Sequence, residues 1–241
     1  MMKRIVLSFG LSVLAIFLFV SVGFCHMLWI EETNGKFKVF WGHKSKVEPY
    51  DPGRIKELKV FDNKGNSVKL KKEVVDNQLV LSVEKKPSVI LASMEGVYLV
   101  TTPEGRKRMD KLEAQKQGLQ VIESFYALQA TKAIFADSTL LNKPLGLKLE
   151  PVFVENPYKG KDEAMVKVLY EGKPAEGVIV FNPFHKEIAK TDAKGMARIK
   201  VEELKMKEGY YALVCFYKVK ISDPKADYLW LITSLTWQKK D

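Results

Sequence analysis

The chain has 241 residues, with 39 Lys and Arg against 29 Asp and Glu and a formal net charge of +10. The positive charges are scattered along the chain instead of forming a basic arm, which indicates a basic soluble surface and argues against nucleic-acid binding. Only two cysteines are present, so no disulfide framework is expected and an apolar core must stabilise the fold.

Residues 1–25 have the pattern of a secretion signal. A basic pair at 3–4 precedes a largely apolar, uncharged run at 5–22, and small residues occupy positions −3 and −1 of a cleavage site. We therefore predict cleavage before His26 and a periplasmic or secreted mature protein. Two alternatives would anchor the protein to a membrane: an uncleaved signal, whose apolar run approaches the roughly 18 residues of a span, or a lipid on Cys25.

The segment after the predicted cleavage site is a β-hairpin centred on Asn34-Gly35, a strong short-range turn signal. If these two residues form the loop, Thr33 faces Lys36, and the numbers of paired residues sum to 69 along the ladder. His26 then lies opposite His43, so two of the three histidines share the open end of one hairpin.

Short strands separated by turns continue to residue 105 and predict a β-sandwich over residues 26–105. Lys85-Lys86-Pro87 and Glu95-Gly96 are predicted to be turns. The predicted strands are 27–33, 36–42, 56–62, 67–71, 79–84, 89–93 and 97–102.

Residues 106–146 are predicted to bridge two domains. Within them, 119–135 fit both a strand face and a helix stripe, and the pattern slightly favours a strand preceded by a short helix.

A second β pattern over residues 147–241 predicts an Ig-like or transthyretin-like sandwich. The expected fold is therefore all-β, with two β-sandwich domains after the signal peptide. The predicted strands are 147–155, 165–170, 178–181, 197–201, 210–219 and 229–237.

The hairpin end has the chemistry of a metal site. Directly opposed side chains lie roughly 4.5–5.5 Å apart at Cβ, which lets two imidazoles reach one ion. Signal cleavage would add a third nitrogen, because an α-amine with a pKa near 7.7–8.0 loses its proton readily enough to bind metal. A nitrogen-rich set of this kind, from the amine, His26 and His43, suits Cu(II) or Ni(II).

Other side chains near the hairpin could contribute to the same site. Glu31 and Glu48 are the carboxylates predicted to complete or orient it, with Glu32 and Asp51 as alternatives. Trp29 is predicted to lie on the non-core face of the hairpin, where it could line a binding surface. The third histidine, His185, is interpreted as an exposed turn residue, which would approach the site only if the domains fold together.

Several short motifs in order resemble the DUF4198 family of bacterial periplasmic proteins. They are His26-x-x-Trp29-x-Glu31, Gly42-His43, Glu48-Pro49-Tyr50-x-Pro52, Thr102-Pro103-Glu104-Gly105, Leu149-Glu150-Pro151, Asn156-Pro157, Gly172-Lys173-Pro174 and Thr191-Asp192-Ala193-x-Gly195. The resemblance implies two β-sandwich-like domains, the second transthyretin-like. It also implies an accessory role in nickel or cobalt uptake, with His26 and His43 at the matching positions.

Three functions follow as hypotheses. The first is a non-enzymatic periplasmic protein that binds Ni, Co or Cu and passes the ion to a membrane transporter. The second is a copper oxygenase with a terminal histidine brace, and the third is a metal-free structural or adhesive protein. No phosphate loop, Cys-x-x-Cys, zincin motif or nucleophile elbow is present, so we predict no catalytic residues.

Overall fold

A computed structural model describes residues 26–43, 46–159 and 162–238. The predicted signal segment and its cleavage site lie outside the described residues, apart from His26 itself. Within the described part of the chain, no helix is long and apolar enough to cross a membrane. Almost all of the regular structure is β-strand, which confirms the all-β prediction.

Within these described ranges, the regular elements are eighteen strands, one α-helix and two 3-10 helices at Pro52–Arg54 and Val201–Leu204. In chain order the strands and α-helix are β1 (Met27–Thr33), β2 (Lys36–His43), β3 (Lys46–Val47), β4 (Ile55–Phe61), β5 (Leu70–Val75), β6 (Gln78–Val83), β7 (Val89–Thr102), β8 (Gly105–Lys107), α1 (Lys111–Lys116), β9 (Glu123–Ile134), β10 (Leu149–Phe153), β11 (Glu163–Tyr170), β12 (Lys173–Pro174), β13 (Ile179–Phe181), β14 (Glu187–Lys190), β15 (Met196–Lys200), β16 (Lys205–Lys207), β17 (Tyr210–Asp223) and β18 (Ala226–Gln238).

These strands form three sheets. The first sheet has the order β1-β2-β6-β5, with β3 paired to β2. The central sheet has the order β14-β13-β17-β18-β9-β7-β4, with β16 and β8 paired to β17 and β7. The third sheet has the order β10-β11-β12, with β15 paired to β11.

The central sheet is covered on both faces, because successive side chains of a strand point to opposite sides. On β7, Ile90 and Ala92 pack into a core shared with the first sheet. Their neighbours Val89 and Leu91 pack into a second core shared with the third sheet. The molecule is therefore layered, and the central sheet supplies one wall of each core.

A parallel pairing joins the two halves of the chain. In the central sheet β9 lies beside β18, with Phe125 opposite Tyr228 at one end and Ile134 opposite Trp237 at the other. The ambiguous segment 119–135 is thus mainly strand, preceded by the short helix α1, as the pattern favoured. The central sheet contains strands from both sides of residues 105 and 147, so it does not show where one domain ends and the next begins. The domain boundaries at these positions therefore remain a prediction.

The predicted turn at Glu95-Gly96 is wrong. The two strands proposed on either side of it form one strand, β7, with a bulge between Met94 and Val97. A Cβ on Gly96 would lie only 2.2 Å from the ring of Tyr126. The glycine is therefore required for close packing of an aromatic ring against the strand, a use that local sequence does not distinguish from a turn.

A buried ion pair fixes the third sheet to the central one. Lys132 on β9 and Glu150 on β10 are 0% and 1% exposed, and their Nζ and Oε1 atoms lie 2.8 Å apart. The Glu150 carboxylate also accepts hydrogen bonds from the backbone N–H groups of Leu145, Gly146 and Leu147 at 2.7–3.1 Å. The carboxylate thus neutralises a buried cation and closes the loop before β10.

We expect Glu150→Ala to lower the free energy of unfolding by about 3–5 kcal/mol, because it leaves Lys132 charged and buried without its partner. Glu150→Gln is the comparison variant: it keeps the side-chain volume and one acceptor oxygen, but it loses the charge and turns an NH2 donor towards N–H groups, so it should also lower the free energy of unfolding. Urea titrations monitored by circular dichroism would measure both. A loss for Glu150→Ala below about 1 kcal/mol, the range of ordinary surface substitutions, would contradict the expectation.

Candidate metal centre

The opening hairpin has the register predicted from Asn34-Gly35. Both loop residues have positive φ, 52° and 74°, as a two-residue hairpin turn requires. Met27 pairs with Gly42 and Thr33 with Lys36, so paired numbers sum to 69. The predicted hairpin is confirmed, and its open end carries one histidine on each strand.

The free edge of β1 faces the central sheet. Three alternate backbone carbonyls on this edge, those of His26, Leu28 and Ile30, accept hydrogen bonds from side chains of the central sheet. The donors are Gln129 on β9, Ser234 on β18 and Tyr210 on β17. These side chains take the place of a neighbouring strand, so the buried carbonyls are satisfied.

Because β1 meets the central sheet by its edge, side chains on both sides of the strand are buried. Met27 and Trp29 are 1% and 3% exposed and pack with residues of β17 and β18. The Trp29 ring stacks against Phe40, and its Nε1 donates to Glu31 at 3.0 Å. The prediction that Trp29 lines a binding surface is therefore wrong: its face of the hairpin is also a core face.

All three histidines of the chain meet at the open end of the hairpin. The ring centroids of His26 and His43 lie 4.3 Å apart, which confirms the predicted facing pair. The ring of His185 lies 4.5 Å from that of His43, and His43 Nδ1 contacts His185 Nε2 directly. One of these two nitrogens must carry the proton that the other accepts.

His185 lies in a turn, as predicted, but the interpretation that it is exposed is wrong. It is half-buried in the turn between β13 and β14, with φ of +63°. The buried Asn182 organises this turn by accepting from the backbone N–H groups of Phe184 and Lys186 at 2.9 and 3.0 Å. The backbone N–H of His185 donates to the Asn182 carbonyl at 3.0 Å. The turn thereby holds the ring against the hairpin, some 140 residues away in the chain.

Trp41 and Gln129 hold His26 in place. The rings of His26 and Trp41 stack with centroids 4.1 Å apart and planes 10° from parallel. Gln129 accepts from Trp41 Nε1 at 2.6 Å and donates to the His26 carbonyl at 3.0 Å. One amide therefore fixes both the backbone of His26 and the ring on which its imidazole rests.

Of the two predicted carboxylates, only Glu48 lies near the histidines. Its charge acts on both His26 and His43, and its Oε1 pairs with Lys46 Nζ at 2.9 Å. Glu31 is five residues further along β1, about 16 Å from His26 at the usual rise of a strand. Its oxygens accept from Trp29 and pair with Lys207. Among the alternatives considered, Asp51 caps the first 3-10 helix, and Glu32 pairs with Phe37 towards the hairpin loop.

The surroundings of the cluster favour neutral imidazoles. Burial, followed by the charges of His43 and His26, lowers the pKa of His185 to about 4. Burial is also the main reason that the pKa of His26 is lowered, and His43 adds to it while Glu48 opposes it. A neutral imidazole has a lone pair to give to a metal or a proton donor.

Within the described residues, no group of three or more His, Cys, Asp or Glu side chains is arranged so that it could hold a metal ion as it stands. The donor chemistry nevertheless fits a transition metal, since the His43 imidazole contacts both other imidazoles of the cluster. If an ion binds here, His26, His43 and His185 are the residues whose imidazoles would hold it.

The free energy of unfolding of metal-free protein should fall as the pH falls from about 6.5 to about 4. The unfolded His185 takes up a proton near its ordinary pKa of 6.5, whereas the folded residue resists protonation down to about 4. His185→Asn should flatten this part of the profile, because asparagine tolerates positive φ and does not titrate. Denaturant titrations in the presence of a chelator would measure the slopes. Equal slopes for the two proteins would contradict the assignment.

Comparison with protein families matches residues 24–218 to DUF4198, a domain of unknown function. No curated protein matches the chain. A solved structure of native alpha-2-macroglobulin from Escherichia coli, spanning domains MG0-NIE-MG1, matches with 11% identity over 86% of this chain and 97% of that chain. Its TM-score is 0.20, a value too low to bear on either fold or function.

Proposed function

The chain belongs to the DUF4198 family, and we propose that it is a periplasmic or secreted protein that binds a divalent transition metal. The ion would be Ni(II), Co(II) or Cu(II), bound by His43, His185 and His26. After signal cleavage the α-amine of His26 would add a fourth nitrogen. The protein would act as an accessory to metal uptake and pass the ion to a membrane transporter.

The observation that supports this proposal is the convergence of all three histidines of the chain at one rim. His26 and His43 come from the hairpin, while His185 comes from a distant turn. Imidazole nitrogen is a preferred ligand of Ni, Co and Cu, and the lowered pKa values of His26 and His185 keep these rings ready to bind near neutral pH. A proton shared between two imidazoles would not account for the presence of the third imidazole, whereas a metal ion would use all three.

The ligand set that we propose differs from the one suggested by the sequence. It omits Glu31, because Glu31 lies far along the hairpin and is paired with Lys207. Glu48 keeps a place beside the rings, where its negative charge favours a bound cation. The Trp41 ring and Gln129 fix His26 before the ion arrives, so less freedom is lost on binding.

Calorimetric titration with Ni(II), Co(II) and Cu(II) would test the histidines. We expect one ion to bind per chain, and we expect His43→Ala and His185→Asn each to weaken binding at least about tenfold through the loss of one ligand. Glu31→Gln is the matched control and should leave the affinity unchanged. Unaltered affinity in both histidine variants would exclude the site.

Reductant-dependent oxidation of a polysaccharide by the copper-loaded protein would instead favour the copper oxygenase.

A separate test concerns the amine. The N-terminus of the exported protein should first be sequenced, and we expect it to begin at His26. A variant with one additional alanine before His26 moves the amine away from the imidazole, so we expect its metal affinity to fall at least about tenfold. A mature protein that begins elsewhere, or an affinity insensitive to the added residue, would remove the amine from the proposed ligand set.

A further inference from the structure

A cavity of about 380 Å³ lies next to the histidine cluster, where the first sheet ends. His26 and Trp41 form its wall on the hairpin side. Its floor is the central sheet, with apolar side chains from three neighbouring strands, among them Leu99, Phe125 and Trp230. The volume is at the lower end of the range of small-molecule sites, about 300–1,000 Å³.

The floor of the cavity is aromatic. Phe125 and Trp230 are buried and stack face to face, with centroids 3.6 Å apart and planes 9° from parallel. The guanidinium of Arg106 lies 5.0 and 5.1 Å from the two ring centroids. A cation close to aromatic rings is attracted to their π faces. Arg106 therefore places a positive charge directly beside the apolar floor of the cavity.

Three arginines line the cavity, Arg54, Arg106 and Arg108, against one acidic residue, Glu95. The Glu95 carboxylate also pairs with Lys56 at 3.6 Å, so the arginines share it with a further cation. Burial, followed by the nearby charge of Arg108, lowers the pKa of Arg54, and the charges of Glu95 and Asp51 oppose this shift. Arg54 and Arg108 therefore repel each other, and an anion between them would relieve that repulsion.

The residues that line the cavity also include hydrogen-bond donors that have no acceptor among the described residues. Arg54 Nη2 donates to the Glu95 carbonyl at 3.0 Å, but its Nε is buried with no partner among the described residues. Trp230 is 7% exposed, and its Nε1 is likewise without a described partner. Buried N–H groups without an acceptor are uncommon in folded proteins and call for an explanation.

From the aromatic floor, the three arginines and the surplus of donors, we infer that this cavity binds a small aromatic carboxylate. The carboxylate lies among the guanidiniums of Arg54, Arg106 and Arg108, whose planar forks match its two oxygens. The aromatic ring lies along the apolar floor towards His26. This site is distinct from the metal site, although His26 borders both, and it does not require a bound metal.

The proposal can be tested with naphthalene-2-carboxylate on chelator-treated protein, by calorimetry and by quenching of tryptophan fluorescence. We expect saturable binding with one molecule per chain. The neutral probe naphthalene-2-carboxamide tests the need for charge, and cyclohexanecarboxylate tests the need for an aromatic ring. Both should bind at least about tenfold more weakly, since each lacks one of the two interactions. Equal binding of the amide, or no binding of the carboxylate, would overturn the proposal.

Arg106→Gln with Arg108→Gln should weaken binding of naphthalene-2-carboxylate at least about tenfold. Arg198→Gln is the matched control, because Arg198 is exposed on the third sheet, pairs with Glu163 and is outside the cavity. Equal loss in the control would show that binding depends on overall charge and would refute the site. Because all titrations are done without metal, failure here leaves the metal proposal untouched, and failure of metal binding leaves this one untouched.

Discussion

The hydrogen bonds along the free edge of β1 are the constraint on which the rest of the structure depends. A strand that enters the interior by its edge would bury a row of unpaired carbonyls, at roughly 1–3 kcal/mol for each one. Gln129, Ser234 and Tyr210 satisfy them from three strands of the central sheet. The Ser234 hydroxyl gives its one proton to Leu28 and accepts a hydrogen bond from the Thr131 hydroxyl, with the two oxygens 2.8 Å apart, so the contact is tied into the sheet itself. This arrangement lets both sides of β1 pack against core.

The same edge contact determines where the histidines lie. Of the three side chains that donate to the edge of β1, Gln129 is the one at the end of the hairpin that carries the histidines. It donates to the carbonyl of His26, where β1 begins. Beyond that point the first sheet ends and the central sheet continues, which produces both the rim that carries the three rings and the cavity beside it. The two proposed sites are therefore consequences of one geometric fact, that the covering sheet is shorter than the sheet it covers.

Local features of the fold could be predicted from sequence, because they depend on neighbouring residues. Asn34-Gly35 determined the register and hence the facing of His26 and His43. The place of His185 could not be predicted, since it depends on β13 joining β17 in the central sheet. The prediction for Trp29 is wrong for a similar reason: alternation along one strand does not reveal that the central sheet also covers the second face of the hairpin. Gly96 shows the same limit, because the ring that requires it lies on another strand.

The pairing of β9 with β18 has a consequence for the order of folding. The final strand of the described chain inserts between β17 and β9, so the central sheet is completed only when residues about a hundred positions apart have met. Contacts of such long sequence separation form slowly. Ser234 and Tyr210, which hold β1, belong to the last two strands of the described chain. The rim that unites His26, His43 and His185 therefore depends on these distant contacts, and a ligand bound there would stabilise only molecules in which they have formed.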